Sequence, residues 1–202
     1  IRNFKLVLGK PVPPLSAPAA QPVFNPPTQT QTPAQVETGP GEQTLRPGLA
    51  LYSYTFSRTE DLQHWRQVEP GWSAGEQGLF CPKPSVNQRL EWSLPLRGEV
   101  TVSYEGRTQG DLGLSFVDAD KPTEVFDRIV EGGPDGQKAG ILSPGKSPAK
   151  LVPLAIADGK LHKVSVVRGK SSLTLKVDGQ EVVTVPNAQT HHHAQYKIRL
   201  HL

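Results

Sequence analysis

Apolar and polar positions alternate from Leu161 to Val185: LHKVSVV, a turn RGKS, LTLKV, Asp178-Gly179, then QEVVTV. Leu173, Leu175 and Val177 share one strand face while Thr174 and Lys176 share the other, because successive side chains in a strand point to opposite sides. The spacing predicts a meander, with a type I′ hairpin at Asp178-Gly179, where both central residues must adopt positive φ. The same period recurs upstream. LYSYTF puts Tyr52, Tyr54 and Phe56 on one face, GEVTVSYEG does so with Val100, Val102 and Tyr104, and DLGLSFVD with Leu112, Leu114 and Phe116. Leu90, Trp92 and Leu94 share a phase, as do Tyr196, Ile198, Leu200 and Leu202 in the last eight residues.

Between these runs, SRTEDLQHW predicts one helical turn capped by Ser57 or Thr59, packing Leu62 and Trp65 on a sheet. Trp72 to Cys81 predicts a short Gly-containing hairpin. From Asp118 to Leu151 the alternation fails, and EGGPDGQKAG and SPGKSPAK predict loop. About nine short strands with almost no helix predict an all-β fold, two antiparallel sheets packed face to face as a jelly-roll sandwich. Its core is expected to hold Trp92, Tyr104, Phe116, Leu175 and Ile198.

Composition divides the chain. Of its 20 prolines, ten precede Leu51, whereas Phe4 and Phe24 alone of the aromatics do. Pro11 to Gly48, rich in Pro, Gln, Thr and Ala, has too little apolar surface to offset the entropy of ordering itself. The expected organisation is an extended Pro-rich arm over residues 1–48 and a sandwich over 49–202, the latter large enough for its own core.

The net charge of +3 is unevenly spread: −5 over residues 51–145, +6 over 146–202 and +2 over the first 50. Lys163, Lys176, Lys197 and Arg199 are the outward members of alternating strands, so the basic end reads as a solvated sheet face. No aromatics interleave with these charges, which argues against nucleic acid. Cys81 is the single cysteine and can form no internal disulfide. No run of 18 apolar residues would span a bilayer. A chain that starts at Ile1 and lacks Met is expected to have been processed or cut, so that a signal peptide or anchor preceded it.

The order Phe56, Asp61-Leu62, Trp65, then Trp72 and Gly78-Leu79, then GEVTVSYEGR, GDLGLSF, DGKLHKVSVVRGKSSLTLKVDGQEV and a closing IRL resembles the concanavalin A-like lectin/glucanase superfamily, nearest its laminin G-like and 3-keto-disaccharide hydrolase-like branches. The resemblance implies a glycan held on the concave sheet. On that reading Glu91, Ser93, Thr101, Ser103 and Ser115, with Arg107 at a strand end, line a ligand groove. Glu-x-Asp-x-x-Glu, the acidic string of the retaining glucanase branch, is absent, so no catalytic residue is assigned.

Asp118, Asp120 and Glu124 present hard oxygens that suit calcium, as in some relatives of the superfamily, but without EF-hand spacing they read as solvated loop acids. His191, His192 and His193 lack a neighbouring carboxylate or thiolate to complete a metal site. No cofactor is therefore expected. Three functions remain open: a scaffold module strapped to protein partners of a larger, membrane-associated assembly through residues 1–48; a glycan-binding module; and a 3-keto-disaccharide hydrolase. The first is the expectation, with an extracytoplasmic location and membrane association through partners or a missing N-terminal anchor.

Overall fold

The computed structural model of the protein describes residues 1–8, 42–46, 49–81, 88–107, 112–132, 138–143, 150–154, 156 and 158–201. In chain order the strands are β1 (Arg2–Leu8), β2 (Glu42–Arg46), β3 (Leu49–Tyr54), β4 (Trp65–Gln67), β5 (Ser73–Gly75), β6 (Gly78–Phe80), β7 (Arg89–Trp92) and β8 (Val100–Gly106). They continue as β9 (Leu112–Asp118), β10 (Val125–Gly132), β11 (Lys138–Leu142), β12 (Lys150–Pro153), β13 (His162–Arg168), β14 (Ser172–Val177), β15 (Gln180–Pro186) and β16 (Tyr196–His201). Two 3-10 turns, Thr59–Leu62 and Gln189–His192, are the helical elements among the described residues.

Two seven-stranded antiparallel sheets result. Sheet A runs β15-β14-β13-β8-β1-β3-β2, sheet B runs β12-β11-β10-β9-β16-β7-β4, and β5 with β6 makes a separate hairpin. The alternation explains the layers. Val100, Val102 and Tyr104 of β8 are buried while Thr101, Ser103 and Glu105 are only half-buried, and Leu90, Trp92, Leu114, Phe116, Ile198 and Leu200 close the core from sheet B. Asp178 and Gly179 adopt φ of 52° and 82°, as the type I′ turn requires.

The aromatic end of the core is built across the layers. Phe4 stacks with Tyr104 at 6.2 Å and meets Trp65 edge-on at 5.1 Å, while Trp65 meets Trp92 at 5.4 Å. Such offset and edge geometries add to the area these rings bury. Trp92, Tyr104, Phe116, Leu175 and Ile198 are all buried, as their phase predicts. Ile198→Val, which removes one methylene from a fully buried site, is expected to cost about 0.5–1.5 kcal/mol. A denaturant midpoint that does not move would show that Ile198 has been put on the wrong face.

Three elements depart from the sequence reading. Residues 2–8 and 42–46, placed in the arm, are strands of sheet A: β1 pairs with β8 on one side and β3 on the other, and β2 pairs with the far side of β3. Phe4 and Leu6 are fully buried. The Pro-rich segment therefore connects two strands of one sheet, and its own residues 9–41 lie outside the described ones. Secondly, the stretch from Asp118 to Leu151 carries β10, β11 and the start of β12; residues 133–137 and 144–149, which the loop compositions cover, lie outside the described residues, as does Leu202. Thirdly, Leu94 follows the end of β7 and is exposed. The 3-10 turn at Thr59–Leu62 has no side-chain cap, and Trp65 reaches the core from strand β4 instead.

Acidic residues inside the core explain why β10 does not read as a strand. The Asp127 carboxylate accepts from the backbone N–H of Thr190 at 2.7 Å and of Gln189 at 3.3 Å, which ties the second 3-10 turn to sheet B. Tyr104 Oη donates to the Glu131 carboxylate across the sheet interface. Burial, and then the Glu131 charge, holds that phenol well above its ordinary pKa. Arg168, also buried, lies 4.7 Å over the Tyr196 ring and donates to the carbonyls of Thr190 and Gly98.

Candidate functional site

The outward face of sheet B is the most chemically dense surface among the described residues. Register fixes its first row: Arg66 of β4 lies opposite Glu91 of β7, Glu91 opposite Arg199 of β16, Arg199 opposite Ser115 of β9, and Ser115 opposite Arg128 of β10. The next row brings Arg89, His201, Gly113 and Val130 together in the same way. All of these alternate with core residues, so they must project away from the sandwich. Yet the face is not simply wet: Glu91 is 0% exposed, Ser115 3%, Arg199 5% and His201 7%, with Val117 and Val130 buried beside them.

Glu91 is held by two guanidinium groups. Arg66 Nη2 donates to Oε1 at 2.8 Å and Arg199 Nη2 to Oε2 at 2.7 Å, with Lys197 Nζ at 4.0 Å from Oε1. Arg199 Nη2 also donates to the Pro122 carbonyl at 2.6 Å, so the turn between β9 and β10 reaches over this row. Arg89 pairs with Glu69. A buried carboxylate needs such partners, since a charge out of water is costly unless paired and hydrogen-bonded.

His201 differs from its neighbours. Neither ring nitrogen has a hydrogen-bond partner among the described residues, and neither does Arg199 Nε. Burial, reinforced by the positive charges of Arg128 and Arg199, lowers the His201 pKa to about 3, so the imidazole is neutral with one N–H and one lone pair on offer. The ring is seated over Gly113. A Cβ at that position would run into His201 Cε1 and the Ile129 carbonyl, so only glycine admits this approach.

Of the groove residues expected from sequence, Glu91 and Ser115 stand in this row. Thr101 and Ser103 do not: they project from the outward face of sheet A, opposite Val7 and Val167 and opposite Lys5 and Ser165 respectively. Ser93 is exposed past the end of β7, and Arg107 is exposed past the end of β8. The six therefore form no single groove. The chain changes sheets between β7 and β8 and again between β8 and β9, so strands adjacent in sequence lie on opposite sides of the sandwich. Sequence reasoning missed Arg66, Arg128 and the burial of Arg199 and His201; the outward phase of the last two was readable, their desolvation was not.

Asp118 Oδ1 accepts from the backbone N–H groups of Lys121 at 2.7 Å and Asp120 at 2.8 Å, bonds that lower its pKa and commit it to its own turn. Asp120 does not join it in a ligand set, and no group of three His, Cys, Asp or Glu suited to a metal occurs among the described residues. His191 faces the carbonyls of Ala188 and Gly169, His192 is exposed, and His193 stacks on Phe126 with centroids 3.4 Å apart, so the three diverge. Cys81 is a half-buried free thiol. No helix among the described residues is long and apolar enough to cross a membrane.

A second polar cluster sits at the opposite end of sheet A. His162 Nδ1 lies 2.8 Å from Asp178 Oδ2 and Nε2 lies 3.1 Å from Asp158 Oδ1, contacts that raise the His162 pKa and lower that of Asp178, while Asp158 is lowered first by the backbone N–H and ammonium of Lys160 and then by His162. The cationic form stabilises the fold fully below the unfolded histidine value of about 6.5, and that contribution is lost as pH rises through the higher folded value. The carboxylates contribute above about pH 4 and lose it as pH falls through their lowered folded values. His162→Gln is thus expected to destabilise more at about pH 5 than at about pH 8. Equal losses at both, measured by denaturant unfolding, would contradict the ion-pair geometry.

No protein-family model matches the chain, and no curated protein does. Solved structures match by shape. A Crh5 transglycosylase in complex with NAG superposes with a TM-score of 0.52 at 16% identity, over 72% of this chain and 65% of that one. The carbohydrate recognition domain of Emp46p, in its metal-free form, gives 0.51 at 12% identity over 71% of this chain and 82% of its own. The match thus spans 65% of the transglycosylase chain. The sandwich has the concanavalin A-like lectin/glucanase fold, and these likenesses establish fold alone.

Proposed function

We propose that the domain is a non-catalytic carbohydrate-binding module that works outside the cytoplasm, with the glycan lying on the outward face of sheet B. One observation carries the reading: a row of hydrogen-bonding side chains, Arg66, Glu91, Arg199, Ser115 and Arg128, spans five neighbouring strands of one face. Glycan sites need such donors and acceptors gathered on one face. Hydrolysis would need two carboxylates in different protonation states. Among the described outward positions of sheet B strands, Glu91 is the only carboxylate, and both its oxygens are occupied by arginines. The solved neighbours, a transglycosylase and a carbohydrate recognition domain, agree in substrate class.

The test is an oligosaccharide-binding screen on the intact chain, followed by Arg66→Ala and Arg128→Ala on sheet B and Thr101→Ala and Ser103→Ala on sheet A. Binding is expected to fall only in the first pair. Turnover of a bound oligosaccharide, or loss of binding confined to the sheet A variants, would refute it. Protein partners are a separate reading, favoured by the Pro-rich composition between β1 and β2. It is checked by capture from native membranes with residues 9–41 replaced by a Gly/Ser linker of about a dozen residues, the length a crossover between parallel strands needs. Undiminished capture would remove the partner role.

A further inference from the structure

We infer that His162 is a pH-operated latch on a cavity at the seam between the two sheets, shut while both ring nitrogens carry protons and released when one proton is lost. The device is independent of the glycan-binding reading and of the sheet B face. The cavity comes first. It has a volume of about 340 Å³ and lies between β12, at the edge of sheet B, and β14 and β15, at the edge of sheet A. Leu154 and Ile156, which follow β12, form part of its wall, and Val152, Val177 and Val182 add to the apolar lining. His162 stands on its polar side with Asp178 and Glu181.

The latch is a matter of proton count. Nδ1 faces Asp178 Oδ2 and Nε2 faces Asp158 Oδ1, so both contacts are hydrogen bonds only when the ring donates from both nitrogens, which the imidazolium alone can do. A neutral ring keeps one N–H and turns a lone pair on the other carboxylate. The two carboxylates are unequally anchored. Asp178 is fixed without His162, since Oδ1 accepts from the Lys163 backbone N–H at 2.8 Å and its own N–H donates to the Lys163 carbonyl at 2.8 Å. Asp158 is otherwise bonded, among the described residues, to the N–H and ammonium of Lys160 in its own turn. The neutral ring therefore keeps Asp178 and lets Asp158 go. Because Asp158 lies two residues beyond Ile156, the cavity wall loses its tether to β13 at that end.

The charges that act on the imidazole are those of Asp178 and Asp158, and they favour its cationic form. The neighbouring charges are committed elsewhere: Lys160 to Asp158, Glu181 of β15 to the Thr184 hydroxyl, and Glu105 of β8, beside the Gly106 that lies opposite His162, to Arg2. β12 turns Val152 and Pro153 to the cavity and no charge. The latch is thus fully shut below the ordinary histidine value of about 6.5 and opens as pH rises through the higher folded value.

Methyl NMR of the full chain, with a neutral soluble gadolinium chelate as the probe of access, tests this. From about pH 5 to about pH 9, paramagnetic relaxation of the Leu154 and Ile156 methyls is expected to rise about twofold or more, with the midpoint of the His162 imidazole titration in the same sample. The Leu175 and Ile198 methyls, in the closed core, should not respond. His162→Gln and Asp158→Ala, each checked for a cooperative melting transition, should show the open-state relaxation at both pH values, while Lys160→Gln should keep the step. Equal relaxation at the two pH values in the unaltered protein would overturn the inference. So would a midpoint that departs from that of His162, a step that survives in either folded variant, or variants that stay shut throughout. Loss of the step in Lys160→Gln would assign it to the lysine and overturn the latch as well.

Discussion

A chain that begins at Leu49, and so lacks β1 and β2, is expected to lose its cooperative unfolding transition altogether. β1 is hydrogen-bonded on both sides, to β8 and to β3, so its removal splits sheet A through the middle. It also empties the positions of Phe4 and Leu6, fully buried side chains that pack on Tyr104, Trp65 and the rest of the aromatic cluster. Emptying two such sites costs about 2–5 kcal/mol each, before any lost ladder hydrogen bonds, against a total stability of about 5–15 kcal/mol. Thermal or urea unfolding followed by tryptophan fluorescence would decide the matter. A sharp transition at an unchanged midpoint would restore residues 1–48 to the status of an arm.

Glu91→Ala should be the most damaging single change on the outward face of sheet B, with a loss of about 3–5 kcal/mol. Deleting the carboxylate leaves the Arg199 guanidinium, almost wholly out of water, with the Pro122 carbonyl as its remaining hydrogen-bond partner among the described residues. The cost is that of an uncompensated buried charge, which exceeds the net worth of the original pair. Glu91→Leu combined with Arg199→Met should therefore recover most of the loss. If the double variant is no better than Glu91→Ala, the row is stabilised by packing and not by charge pairing.

The strands with one dry and one wet face were legible from sequence alone. β8, β14 and the Asp178-Gly179 hairpin follow the simplest period-2 rule, and their phases were right throughout. β1 escaped notice because Phe4 and Leu6 offer only two in-phase apolar positions beside a long stretch whose Pro-rich sequence shows no alternation. β10 escaped because Asp127 and Glu131 occupy inward positions, and nothing local reveals that backbone N–H groups of the 189–190 turn and a tyrosine hydroxyl will meet them. The site fared worse for a related reason. Glu91 and Ser115 could be named from their outward phase, but their row is completed by β4, β16 and β10, which lie far apart along the chain. Which sheet a strand joins is a property of long-range pairing, and alternation within a strand carries no trace of it.

The position of β1 in sheet A bears on how a ribosome can deliver this fold. Leu8 pairs with Val100, so the first described strand must wait for the whole Pro-rich segment and β2 to β7 before β8 exists. At ~5–20 residues per second that delay is on the order of 5–20 s. Sheet B is later still, because β16, the last described strand, fills the gap between β9 and β7. Sheet A can be completed only after β15, and sheet B only after β16. Until β16 has been made, β9 and β7 present open inner edges, and those edges are templates for pairing with any neighbouring chain.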